Sequence, residues 1–303
     1  MNLNKSNVIL INGETDEQKV SAVRQLAAKP MKGKMRRHVC LQVSSQQLLR
    51  QLQTQDMGEG IAERLELHPY SFEELWAQKL FVSLPRRRVV ASPLDWRPIC
   101  IDSNYRVHLV VFGMNAMTEA LVRQACLVCH YPNYLRDANL KTRITIIDSS
   151  IKEDDNLLLR RYRTLFDYCN WSYVDKYGCE KSHKPECGYL GGEFTDVEFR
   201  FVAAESSNTV VRVMMAEFAR NANELVTIVY DGDDGEANWD MATGLPAEYY
   251  MEGCDIPIYV RMKSTMMLGS PTLMPQYRNI KPFGMDDCEY DLSLPLTQMA
   301  MGV

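Results

Sequence analysis

The residues with the clearest chemical potential follow a short apolar run at positions 107–112. Gly113 comes directly after this run, and Asn115, Thr118 and Glu119 stand at the start of a predicted helix. A glycine turn that leads into a helix aims several main-chain N–H groups at one point, which suits a phosphate. We therefore predict that these four residues form the phosphate side of a nucleotide-binding site.

A carboxylate suited to a ribose hydroxyl stands further along the chain. Asp148 directly follows a second apolar run at residues 143–147, and an acid at the end of the second strand accepts hydrogen bonds from ribose in dinucleotide-binding folds. It comes later than the roughly 20 positions of that motif, and only one of the motif's three glycines is present. Asn115 also restricts the approach of a pyrophosphate. We expect NAD(H) to bind weakly and favour a mononucleotide, with a domain that binds no nucleotide as the alternative.

A cysteine-rich insertion at residues 169–192 offers a second kind of chemistry. Cys179, His183 and Cys187 lie close together in the sequence, and thiolate and imidazole are the ligands that zinc prefers. Their spacing is not that of a standard zinc finger. The segment is therefore either a zinc site or a surface loop with free thiols.

Composition limits the class of protein. The 303 residues carry a net charge of −5, so we predict no nucleic-acid partner, since such partners select a basic surface. No apolar run has the length of a membrane helix, and the start of the chain does not resemble a signal peptide. Together with nine cysteines, an odd number, this predicts a cytoplasmic protein.

The order of elements predicts an α/β fold with a Rossmann-like parallel sheet and helices on both faces. This domain should occupy residues 105–268, with the cysteine-rich insertion inside it. Helical stretches separate five predicted strands, at residues 107–112, 143–147, 197–202, 225–230 and 256–261. We predict no catalytic residue, since no nucleophile elbow or P-loop occurs.

An internal repeat relates the N-terminus to the end of this domain. Residues 11–17 align with 230–236, and residues 39–45 align with 258–264 at the same offset. We therefore predict that residues 1–60 form a partial α/β unit equivalent to the second half of the domain. Such a unit needs cover, from a homodimer partner, the other domain or an upstream segment of the same gene product. Two further segments complete the division: a linker with one helix at 61–104 and a tail at 269–303.

The two units together resemble tandem copies of the RCK/TrkA-N family, regulators of K⁺ conductance, with the first copy incomplete. The resemblance is carried by residues 107–113, 143–148, 198–203, 226–236 and 256–261. It implies a cytosolic domain that pairs, binds nucleotides or ions at the carboxyl ends of its strands, and controls a cation channel or transporter. An NAD(P)-dependent oxidoreductase and an assembly module without ligand stay open as alternatives.

Overall fold

A computed structural model of the chain describes residues 8–11, 15–28, 37–54, 65–81, 94–185, 195–263 and 275–284. The described residues up to Leu75 form one compact unit, and those from Trp76 onward form a second. Within these ranges, every helix is too short or too polar to cross a lipid bilayer.

The first unit is a three-stranded parallel sheet in the order β1-β2-β3. Its elements are β1 (Val8–Ile11), α1 (Asp16–Ala28), β2 (Arg37–Gln42), α2 (Gln46–Thr54) and β3 (Leu65–Tyr70), followed by α3 (Phe72–Phe81), which contains the boundary between the units. The alternating strand residues Ile9, Val39, Leu41 and Leu65 pack with Val23 of α1 and Leu49 of α2. Because side chains alternate along a strand, the residues between them project from the opposite face.

Strand β3 lies in the segment that the sequence assigns to a linker. Its residues pair with β2 along the whole of Arg37–Gln42, so the first unit extends beyond residue 60. Pro69 obscures the pattern, because proline cannot donate to a sheet and is confined to positions such as edge strands. β3 is such an edge strand among the described residues, and it accommodates the proline.

The second unit contains an eight-stranded sheet in the order β11-β10-β9-β4-β5-β8-β6-β7. Its strands are β4 (Arg106–Phe112), β5 (Thr142–Ile147), β6 (Trp171–Val174), β7 (Glu180–His183), β8 (Val197–Val202), β9 (Glu224–Tyr230), β10 (Ile258–Arg261) and β11 (Ile280–Phe283). Its further helices are α4 (Ala116–Val128), α5 (Leu157–Arg161), α6 (Arg163–Tyr168), α7 (Thr209–Arg220) and α8 (Gly235–Thr243). All neighbouring strands run parallel except β6 and β7.

The order β8-β5-β4-β9-β10-β11 is that of the Rossmann fold and confirms the predicted fold class. The five predicted strands correspond to β4, β5, β8, β9 and β10. In addition, β1-β2-β3 and β9-β10-β11 share the same order and direction, as expected if the first unit corresponds to the second half of the Rossmann sheet.

Three local features differ from the predictions. The helical stretch predicted between β5 and β8 is two short helices separated at Tyr162, whose hydroxyl donates a hydrogen bond to Glu119. The cysteine-rich insertion contains the hairpin β6–β7, which extends the sheet beyond β8. The predicted tail contains β11, which pairs with β10.

Candidate ligand-binding crevice

The candidate site is the crevice at the carboxyl ends of β4 and β9. The chain leaves β4 toward β5 on one side, whereas β9 flanks β4 on the other, so the direction of connection reverses here. In open α/β sheets this reversal creates the ligand-binding crevice. The last residues of the two strands, Phe112 and Tyr230, are register partners whose rings stack with centroids 4.4 Å apart.

Gly113 forms the turn that opens the crevice. Its φ of +128° is a conformation that other residues rarely adopt. A Cβ atom at this position would lie 3.2 Å from the main-chain oxygen of Asp231. The Gly113 N–H donates to the carbonyl of Ile147 at 3.0 Å. This position therefore requires glycine, because its backbone conformation disfavours a side chain and the main chain of Asp231, the residue after β9, leaves little room for one.

Asn115 occupies the start of α4, where a phosphate was predicted to bind. Its Oδ1 accepts hydrogen bonds from the N–H groups of Met117 at 2.8 Å and Thr118 at 3.2 Å. The Thr118 hydroxyl in turn accepts the Asn115 N–H at 3.4 Å, which completes a capping box. Two main-chain donors that a phosphate would use are thus already satisfied by the protein's own side chain.

Asp231 closes the base of the crevice. The Thr118 hydroxyl donates to Asp231 Oδ2 at 2.7 Å, and Arg261 Nη1 lies 3.1 Å from Oδ1. The side chain is fully buried, and this burial raises its pKa to about 7 although Arg261 and Thr118 favour the charged form. The carboxyl therefore changes charge near neutrality while it joins α4 to β10. Asp231 directly follows the predicted strand at residues 225–230, but its contacts with Thr118 and Arg261 depend on the packing of distant elements.

The two other predicted residues have different positions and partners: Glu119 lies in the first turn of α4, and Asp148 directly follows β5. The buried carboxylate of Glu119 accepts a hydrogen bond from the Tyr162 hydroxyl at 2.7 Å and pairs with Arg161, so it anchors α5 and α6 to α4. Asp148 Oδ1 accepts the Ser150 N–H at 2.7 Å. The structure thus places Asp148 at the expected edge, where it stabilises its own loop.

A cavity of about 390 Å³ lies against Phe112 and Tyr230, the last residues of β4 and β9, and beside α7 and α8. It is lined by Phe112, Ser206, Ser207, Arg212, Met215, Tyr230, Asp240, Met241, Gly244, Leu245 and Pro246. The exposed Arg212 makes no ion pair with any described residue. The sequence does not reveal this group, because its members come from β4, β9, α7, α8 and two loops. The polar pair Ser206-Ser207, shortly after a predicted strand, is the signal that could have indicated it.

Of the predicted zinc ligands, the two that the structure describes, Cys179 and His183, are not brought together. Cys179 directly precedes β7 and His183 ends it, and four residues of extended strand span about 13 Å. His183 stacks on its cross-strand partner Trp171 with ring centroids 3.7 Å apart, and Cys179 is exposed. Cys187 lies outside the described residues.

A network of charges crosses the opposite end of the sheet. Glu224 pairs with Arg106, and the Nδ1 atom of the fully buried His108 lies 3.5 Å from the Glu224 carboxylate. Arg143 Nη1 lies 3.9 Å from the Glu224 carboxylate, and Arg143 Nη2 lies 2.5 Å from Glu198 Oε1, so Glu198 also belongs to the network. Burial opposes the ionisation of Glu224, but His108 and Arg106 outweigh it and lower its pKa to about 2. These groups stabilise the strand starts, away from the crevice.

Comparisons with protein-family models, curated proteins and solved structures gave no match to this chain, so its own geometry carries the functional interpretation.

Proposed function

We propose that the chain is a regulatory ligand-sensing protein of the RCK/TrkA-N type, which binds a mononucleotide and controls a cation channel or transporter. The observation that carries the proposal is the cavity of about 390 Å³ that lies against the last residues of β4 and β9, Phe112 and Tyr230. These two strands flank the reversal point of the sheet, where open α/β sheets bind ligands, and the cavity volume falls within the range of small-molecule sites.

The lining of the cavity suits the parts of a mononucleotide. Phe112 and Tyr230 offer an apolar floor against which a base can pack. The Arg212 guanidinium, which lacks an acidic partner in the described ranges, suits a phosphate. The hydroxyls of Ser206 and Ser207 lie at the same cavity and can donate hydrogen bonds to phosphate oxygens.

The start of α4 favours this ligand over a dinucleotide. A pyrophosphate at that helix would have to displace the Asn115 side chain from the N–H groups of Met117 and Thr118. A dinucleotide-dependent oxidoreductase relies on such N–H groups to hold its cofactor. The occupied helix start therefore supports a regulator with a smaller ligand.

The proposal places the protein in the cytoplasm as a homodimer. All described cysteines are free thiols, as expected in a reducing compartment. In the described part of the first unit, β1 and β3 each pair on one side only. Strand edges without a partner strand favour pairing with another chain, which supports the predicted dimer.

Calorimetry with AMP, ADP, ATP, NAD, NADH and inorganic phosphate tests the ligand class. We expect a mononucleotide to bind with one site per chain and to exceed both NAD and phosphate in affinity. Stronger binding of NAD would favour the oxidoreductase. Absence of binding by every nucleotide would favour an assembly module without ligand.

The regulatory part of the proposal needs a separate measurement. Deletion of the gene in its source organism should change K⁺ uptake, and a copy with Arg212→Ala should fail to restore the nucleotide dependence of that uptake. Unchanged uptake of K⁺ and other monovalent cations after deletion would contradict a role in cation transport.

A further inference from the structure

A cluster of two histidines and a glutamate lies in the first unit, remote in sequence from the crevice residues. His38 belongs to β2, whereas Glu66 and His68 belong to β3. In the parallel register His38 pairs with Glu66, and Cys40 pairs with His68. These positions alternate with the core residues Val39, Leu41 and Leu65, so the cluster lies on the face of the sheet opposite α1 and α2.

The distances within the cluster are those of atoms that share a metal ion. His38 Nδ1 and His68 Nε2 face each other at 3.2 Å. Glu66 Oε2 lies 3.5 Å from His38 Nδ1, and Glu66 Oε1 lies 3.6 Å from His68 Nε2. Two ligands bound about 2.1 Å from a tetrahedral zinc ion lie about 3.4 Å apart. The spacing of the two histidine nitrogens matches this value, and one ligand atom from each of the three residues lies within 4.8 Å of the other two.

The cluster is also open to an incoming ion. The two histidine side chains are 20% and 23% exposed, and the Glu66 side chain is 47% exposed. The rings are held half-buried against the sheet, with centroids 5.4 Å apart. Among all described residues, this is the one group of three histidine, cysteine or acidic side chains whose ligand atoms converge in this way.

We propose that His38, Glu66 and His68 form a binding site for a divalent transition-metal ion, with zinc as the ion bound in the cell. Two imidazole nitrogens select zinc and its neighbours over magnesium and calcium, which prefer all-oxygen shells. Three protein ligands leave a fourth position for water or a further ligand. The bound ion would join β2 to the edge strand β3.

Zinc titration of the full chain, purified with chelator and measured against a chromogenic chelator, tests the site. We expect one zinc ion per chain at this site, and a loss of affinity of about 100-fold or more in His38→Ala and in His68→Ala, since even residues behind metal ligands contribute about 10–100-fold. Cobalt should give the visible absorption bands of a tetrahedral site in the wild type, and these bands should disappear in both variants.

Matched variants separate this site from other sources of zinc binding. His130→Ala removes an exposed imidazole that lies 2.9 Å from the carboxylate of Asp196, and it should bind zinc like the wild type. Cys179→Ser tests the cysteine-rich segment and should also leave this site unchanged. Zinc affinity equal in the wild type and in His68→Ala would overturn the proposal.

The conservative variant Glu66→Gln guards against a result that reflects misfolding. It retains the size of the side chain and removes the charge, so its far-UV circular dichroism should match that of the wild type. Zinc should raise the unfolding temperature of the wild type, because an ion that binds the folded state stabilises it. The increase should be smaller in Glu66→Gln, and an equal increase would overturn the role of Glu66 as a ligand.

Discussion

The Asn115 side-chain amide donates a hydrogen bond of 2.6 Å to the main-chain carbonyl of Asp231. This contact joins the start of α4 to the residue that follows β9, across the reversal point of the sheet. The same side chain caps α4 through its oxygen. Asn115 therefore both closes the phosphate position at the helix and holds the two sides of the crevice together.

Asn115→Gly should open the phosphate position at α4. The N–H groups of Met117 and Thr118 lose their side-chain acceptor, so we expect the affinity for NAD to rise about tenfold, the effect of one hydrogen bond to a charged group. The free energy of unfolding should fall by about 1 kcal/mol through the lost bonds. Asn156→Gly, which removes the equivalent cap of α5, is the control for calorimetry and should leave NAD affinity unchanged. An unaltered affinity in Asn115→Gly would show that the cap does not exclude the cofactor.

Asp231 should make the protein less stable as the pH rises toward neutrality. The folded protein holds this proton up to a pKa of about 7, whereas the unfolded chain releases it near 3.8. A raised folded-state pKa contributes stability at low pH, and this contribution is lost between about pH 4 and pH 7. The free energy of unfolding, measured with urea across this pH range, should include a contribution that falls as the pH rises in the wild type. Asp231→Asn should remove this contribution. Identical pH profiles of the two proteins would contradict the buried titration.

Glu224 and His108 should act in the opposite direction. Burial lowers the pKa of His108 below 6.5, and the network lowers that of Glu224 from 4.5 to about 2. Both contributions are present at higher pH and are lost as the pH falls, first through the histidine and then through the glutamate. Glu224→Gln leaves Arg106 without its buried partner and should cost about 3 kcal/mol at neutral pH. A loss below about 0.5 kcal/mol in urea unfolding, the scale of an ordinary surface change, would show that the network contributes little.

The molar mass in solution tests the predicted homodimer directly. Multi-angle light scattering at micromolar concentration should give twice the chain mass of 34.8 kDa, because the first unit has two edge strands among its described residues. Dilution should shift the mass toward that of one chain. A single chain mass at all concentrations would contradict the dimer.

The sequence predicted β4, β5, β8, β9 and β10 because buried parallel strands are continuous apolar runs. It failed at β3, where Pro69 interrupts the pattern, at β6 and β7, where cysteines and charged residues suggested a loop, and at β11, which lies in the predicted tail. It located Gly113 and Asp148 at the correct edge of the sheet. It could not show that Asn115 satisfies the helix N–H groups, since that depends on side-chain geometry.

The cavity and the histidine cluster depend on contacts between distant parts of the chain. Arg212 reaches the cavity from α7, and Tyr230 reaches it from β9. His38 meets His68 only because β2 and β3 pair in one particular register. A shift of that register by one residue would place the two rings on opposite faces of the sheet. Spacing in the sequence carries no information about this register.

The affinity of AMP for the wild type, Arg212→Ala and Arg220→Ala tests the central proposal most directly. Arg220 is an exposed arginine of the same helix that pairs with Glu248 outside the cavity, so it controls for the loss of one positive charge. We expect calorimetry to show that Arg212→Ala weakens AMP binding at least about tenfold, the effect of one hydrogen bond to a charged group, whereas Arg220→Ala binds like the wild type. Equal affinities in all three proteins, or no binding of AMP by the wild type, would contradict a mononucleotide site in this cavity.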